Sequence, residues 1–243
     1  MQLIEHTFLP FRLLLTWQAP EGKERRRFAV GELREAQGGL SFRYLTESED
    51  FRKAQELGFN CYPAFRKTNQ VYFHGVREAF LRRVPPRSRK DFPKFLQQWR
   101  LRADSELPDF TLLAYCGAKL PSDGFSLVWP LEEVTPPGEV LLEVAGFRYQ
   151  DIRLEELSAG MPVRFTLEPS NPKDPNALRM DVDGRPIGYV NRFQRNAVAN
   201  WLGRHQIDAW VERFNGTSER PLVYVYCRVS EQSSAQLPRA ATC

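Results

Sequence analysis

EPSNPKDPNALRMDVDGRPIGYVNR, residues 168–192, holds two short alternating runs, ALRMDV (177–182) and RPIGYV (185–190), separated by Asp183-Gly184. Both central residues of a type I′ turn need positive φ, so Asp-Gly between alternating runs is the strongest short-range sign of a β-hairpin. Ahead of this hairpin, Asn171, Asp174 and Asn176 are turn formers whose side chains bond the local backbone. Behind it, Asn191 is placed to cap a short helix, FQRNAVANWLG, with Phe193, Ala197, Val198 and Trp201 on one face and Gly203 at its end. Further out, EVLLEVAGFRY (139–149), MPVRFTLEP (161–169), IDAWVERF (207–214) and PLVYVYCRV (221–229) read as strands. Five or six short strands with one helix between 138 and 231 predict a small, mostly-β barrel. Residues 232–243 lack apolar periodicity and read as a disordered tail.

Upstream, Glu133-Val-Thr-Pro-Pro-Gly138 is the best domain boundary in the chain, because two prolines and a glycine end whatever precedes them. Residues 1–135 predict an α+β domain. PFRLLLTWQ (10–18) reads as a first strand, and the apolar start leading into it lacks the basic region of a signal peptide. RRRFAVGELRE and LSFRYLTE, joined by Ala36, Gln37, Gly38 and Gly39, read as a hairpin. Thr46 with Glu49 has capping-box spacing, and Phe51, Ala54 and Leu57 carry the helical pattern to Gly58. Phe92, Phe95, Leu96 and Trp99 fall on one helix face. FTLLAYC (110–116) and GFSLVWPL (124–131) read as two more strands.

The 243 residues carry a net charge of +4 with 42% hydrophobic residues, ordinary globular composition with enough apolar mass for a core. Residues 1–137 hold 21 Lys/Arg against 17 Asp/Glu, and residues 138–231 hold 12 against 13. The positive balance therefore lies in the first part. Within it, Arg77 to Arg102 contains nine basic residues against Glu78 and Asp91. Arg82, Arg83, Arg87, Arg89, Lys90 and Lys94 form a candidate phosphate-binding patch, with a solvated charged face as the plain alternative. No apolar run approaches the ~18 residues of a membrane helix. Four scattered cysteines and three scattered histidines lack the paired spacing of a zinc site, so no metal or cofactor is expected, and free thiols suit a cytoplasmic protein. GxxxxGK[ST], GxGxxG, GxSxG and HExxH are absent, and catalysis is not expected.

VAGFRYQD (144–151), followed by the 168–192 stretch, resembles the HIRAN domain, which has an Arg-Tyr strand, an N-P-x-D-x-N-A turn and a glycine–aromatic step before a short helix. The resemblance implies a barrel related to the OB and SH3-like folds that binds single-stranded DNA at a free 3′ end. Position by position, it implies Arg148 as a phosphate contact and Tyr149 as a stacking platform. Asn171 opens the turn, Asp174 accepts from the terminal hydroxyl, and Tyr189 and Arg192 stand at the glycine–aromatic step and helix entry. Lys173 departs from the tyrosine frequent at its position in the family, exchanging stacking for a phosphate contact and stronger salt dependence. The same Asn and Asp residues also fit a purely structural corner.

VGELREAQGGLSFRYL resembles the small N-terminal subdomain of HipA-type toxin kinases, and FLRRVPPRSRKDFPKFLQQWRL resembles its continuation in bacterial proteins that join it to a HIRAN domain. The kinase body is missing, so the resemblance implies a docking module rather than phosphotransfer. Together these readings describe a non-enzymatic bacterial protein that holds single-stranded or frayed DNA ends, its first domain adding backbone or protein contacts. The alternative is a protein-interaction adaptor or subunit of a DNA repair, phage-defence or toxin-antitoxin assembly, a larger nucleic-acid-processing complex.

Overall fold

The computed structural model describes residues 2–20, 26–36, 39–120, 123–216 and 221–232. The chain divides into two compact units: residues 1–3 with 8–133, and residues 4–7 with 134–243. The predicted turn at Gln37-Gly38 and all but the first residue of the predicted tail lie outside the described residues.

The first unit is built on a five-stranded antiparallel sheet. Its strands are β1 (Arg12–Gln18), β2 (Arg27–Ala36), β3 (Gly39–Tyr44), β4 (Val71–Tyr72) and β5 (Phe125–Val128), in the order β4-β3-β2-β1-β5. Leu13, Leu33 and Phe42 lie in register across its middle and are fully buried. Four short helices accompany the sheet: α1 (Glu49–Glu56), α2 (Val76–Leu81), α3 (Phe92–Gln98) and α4 (Asp109–Cys116). The cap of α1 is Ser48, whose hydroxyl accepts from the Phe51 amide at 3.1 Å, rather than Thr46. Of the face expected on α3, Phe92 and Leu96 are buried, while Phe95 and Trp99 are only half-buried.

FTLLAYC is helix, not strand. Six of the eight residues of α4 are buried, so the helix is apolar nearly all round and shows no amphipathic stripe in sequence.

Among its described residues the second unit holds two three-stranded sheets and no closed barrel. Its strands are β6 (Gly138–Glu143), β7 (Arg164–Leu167), β8 (Leu178–Val182), β9 (Arg185–Tyr189), β10 (Gln206–Gly216) and β11 (Pro221–Ser230). They pair as β10-β11-β6 and β7-β8-β9. Among the described residues only isolated bridges link the two sheets, Ala145 with Tyr189 and Pro162 with Trp210, so the ladder does not run on around a ring. A proline has no N–H to continue such a ladder. The predicted Asp183-Gly184 turn joins β8 to β9, with φ of 49° and 77°. The last helix, α5 (Arg195–Arg204), buries Val198 and Trp201. Asn191 caps the turn ahead of it, accepting from the Phe193 amide at 3.1 Å. The residues at 4–7 join this unit through Glu139, whose carboxylate accepts from the amides of Glu5 and His6 at 3.2 and 3.0 Å.

No helix among the described residues is long and apolar enough to cross a membrane.

Candidate nucleic-acid interface

The site begins with a close approach of two backbones. At Gly188 (φ +134°) a Cβ would sit 2.5 Å from the Ala145 carbonyl oxygen and 2.6 Å from a Val144 methyl, a space only glycine fits. That lets Ala145 and Tyr189 exchange backbone hydrogen bonds of 2.8 and 2.9 Å. The chain leaving Ala145 winds into a 3₁₀ turn, Phe147–Tyr149, rather than continuing as the predicted strand. Phe147 is buried and anchors the turn; Arg148 and Tyr149 face solvent, Tyr149 68% exposed. The Arg148 guanidinium lies over the Tyr149 ring, 4.4 Å from its centroid, and also bonds its hydroxyl.

Tyr189 carries the second half. Its hydroxyl donates to Glu168 at 2.9 Å, and the Asn171 amide donates to both Glu168 (2.7 Å) and the Tyr189 oxygen (3.2 Å). The Asn171 carbonyl oxygen accepts from the backbone amides of Lys173 and Asp174 at 3.0 and 3.2 Å, which shapes the turn. Arg179, between Thr166 and Tyr189 in the β7-β8-β9 register, bridges Glu168 at 3.1 Å and Asp181 at 2.8 Å. Hydrogen bonds from Asn171 and Tyr189, supported by Arg179, hold the Glu168 carboxyl below its usual pKa. Burial and the adjacent Glu168 carboxylate push the Tyr189 phenol up.

Asp174 accepts from the Asn176 amide at 3.0 Å through one oxygen and pairs with Arg195, at the start of α5, through the other. Lys173 is exposed at the tip of the turn. Arg192 lies over the Phe193 ring, 4.2 Å from its centroid. The structure thus joins Asn171 and Tyr189 directly. Asp174 and Lys173 share their turn, and the Ala145–Tyr189 bridge ties the Arg148-Tyr149 turn to the same strand. Glu168, Arg179 and Arg195 are the members that motif reading passed over. Their pairings span 21 residues for Asp174–Arg195 and Glu168–Tyr189, and no local pattern announces them.

The basic run of the first unit is less available than its composition suggests. Arg83 is a structural arginine: 7% exposed, it bonds both oxygens of Asp123 (2.7 and 2.8 Å) and the carbonyls of Ala118 and Phe125. Burial works against its charge, but Asp123 more than offsets this and raises its pKa. Arg87 bonds the Leu107 carbonyl and Asp109, and Arg89 is forked onto Asp91. Arg82, Lys90 and Lys94 remain on the surface. Among the described residues no group of three or more His, Cys, Asp or Glu converges as a metal site.

Residues 137–237 match the family model of the HIRAN domain. The second unit carries a HIRAN domain. Two solved structures resemble the chain. The HIRAN domain of human HLTF is 18% identical, over 39% of this chain and 77% of that one, with a TM-score of 0.32. A protein from Lactobacillus plantarum is 24% identical, over 36% of this chain and 91% of that one, with a TM-score of 0.28. No curated protein matches the chain. The resemblance of the first unit to the HipA-type N-terminal subdomain gains no support from these comparisons. The HIRAN domain contains every candidate site residue outside the basic run.

Proposed function

We propose that the protein is a non-enzymatic DNA-binding protein whose HIRAN domain holds single-stranded or frayed DNA at a 3′ end. The presence of a HIRAN domain supports a DNA-binding role. The observation that carries the finer reading is Tyr149: a large aromatic ring, 68% exposed, under a guanidinium, on a turn that leaves the strand bridge between Ala145 and Tyr189. A base stacks on such an exposed ring at about 1–3 kcal/mol. Arg148, Lys173 and Arg192 supply cations for the flanking phosphates. Asp174 is the acceptor for the terminal hydroxyl, oriented by Arg195.

Fluorescence anisotropy on short labelled single strands tests this, comparing free and 3′-phosphorylated ends at low salt. The free end should bind more tightly. Tyr149→Ala should weaken binding of both about 5- to 150-fold, the equivalent of losing one stacked base. Asp174→Asn should erase the difference between the two ends while leaving most of the affinity. Absence of any binding at low salt removes the DNA reading; equal binding of both ends by the unmodified protein removes only the end preference.

A further inference from the structure

The first unit carries a second organised cation cluster, outside the basic run of residues 77–102. Strand alternation puts Leu13, Leu33 and Phe42 on one face of the five-stranded sheet, and their neighbours on the other. On that other face Arg12 stands opposite Arg34, and Glu32 opposite Arg43. Glu32 is 3% exposed and collects all three arginines. One of its oxygens accepts from Arg34 Nε at 2.6 Å and from Arg43 Nε and Nη2 at 3.2 and 3.1 Å. The other lies 3.5 Å from Arg12 Nη1, and Arg12 also pairs with Glu132. Burial would raise the pKa of Glu32, but the hydrogen bonds from Arg34 and Arg43 prevail and keep it ionised.

Three guanidiniums against two carboxylates leave a positive surplus, and it sits on Arg34 and Arg43, whose side chains are 49% and 52% exposed. Both turn their Nε and Nη2 toward Glu32, so Nη1 of each has no acceptor among the described residues. Arg43 also lines a groove of about 380 Å³ with Thr46, Thr68, Asn69, Gln70 and Val71, and no carboxylate faces that groove. Two forks held in place by a shared carboxylate have already lost much of their side-chain freedom, which lowers the cost of capturing a ligand. Guanidinium forks match the oxygens of a phosphate group. Neutral polar side chains beside Arg43 suit a sugar.

We propose that Arg34 and Arg43, organised by Glu32, form an oxyanion site for a phosphodiester of a nucleic-acid backbone. The phosphodiester assignment rests on the DNA-binding reading above; the oxyanion site does not. The test uses the full chain, with inorganic pyrophosphate followed by calorimetry and a short labelled thymidine strand followed by anisotropy across a salt series. Arg34→Gln combined with Arg43→Gln should weaken pyrophosphate binding at least tenfold. It should also reduce the salt slope for the strand by about 1.4, two contacts at about 0.7 each. Tyr149→Ala should lower strand affinity and leave pyrophosphate binding unchanged. Because the double variant leaves a buried carboxylate with Arg12 alone, Arg34→Lys with Arg43→Lys serves as the second variant. It keeps the charge, loses the forks, and should weaken pyrophosphate binding by a smaller factor. Equal pyrophosphate binding by the unmodified protein and a folded variant overturns the oxyanion site. Pyrophosphate binding that depends on both arginines, without any strand binding, overturns the phosphodiester assignment and the DNA reading but keeps the site.

Discussion

Gly188 shows how one residue positions a site it does not belong to. An added methyl would meet the Ala145 carbonyl and a Val144 methyl at 2.5 and 2.6 Å, at a φ that side chains rarely adopt. Gly188→Ala is expected to cost about 1–3 kcal/mol in chemical denaturation from backbone strain, and more from the clash. Strand binding should fall with it, since the Ala145–Tyr189 bridge carries the Arg148-Tyr149 turn. An unchanged denaturation midpoint would rule this out. Glu168 makes a prediction about pH. Its folded pKa lies below the usual 4.5, so its contribution is complete above that value and disappears as pH falls through the lowered folded pKa. Glu168→Gln should therefore shrink the loss of stability below about pH 4.5 measured by acid titration of the circular dichroism signal. An identical acid profile for the variant would show that the carboxylate is not engaged in solution.

At the scale of elements, local chemistry was readable and burial was not. The β8–β9 hairpin follows from Asp183-Gly184 because turn type depends on the φ of two adjacent residues. The Phe92 and Leu96 face of α3 follows from its 3.6-residue spacing. For α4, by contrast, Phe110, Thr111, Leu112 and Leu113 are all buried, so the pattern that separates helix from strand is erased. Thr46 and Ser48 are both acceptable caps, so local chemistry does not choose between helix starts two residues apart. With Ser48 bonding Phe51 at 3.1 Å, Ser48→Ala should destabilise the first unit by about 0.5–2 kcal/mol, while Thr46→Ala should have far less effect. Thermal unfolding of the two variants separates them, and equal effects would reject Ser48 as the cap.

At the scale of the whole molecule, charge and thiols both look different once the chain is folded. The most basic sequence run is partly neutralised by Asp91, Asp109 and Asp123, whereas the surplus on the sheet comes from arginines 12, 34 and 43, which no run brings together. Cys116 in the first unit and Cys227 in the second are fully buried thiols, each pushed up to about 12 by desolvation. Neither should react with iodoacetamide at pH 8 in the folded protein, and both should react after unfolding in guanidinium. Mass spectrometry of the labelled peptides reads this directly, and prompt labelling of either thiol would contradict its burial. Two sheets linked by isolated bridges stand where a barrel was expected, because closure depends on a continuous ladder between strands far apart in sequence.

The amino-acid sequence alone was enough for the central hairpin and the Asn171–Asp174 turn. Both depend on backbone preferences of neighbouring residues. Tertiary structure decided the rest: that α4 is a helix, that Arg83 is internal, that Asp174 meets Arg195, and that Glu32 gathers three arginines. These follow from which side chains share a buried or partly buried space, and that is set by strand register and packing between segments distant along the chain.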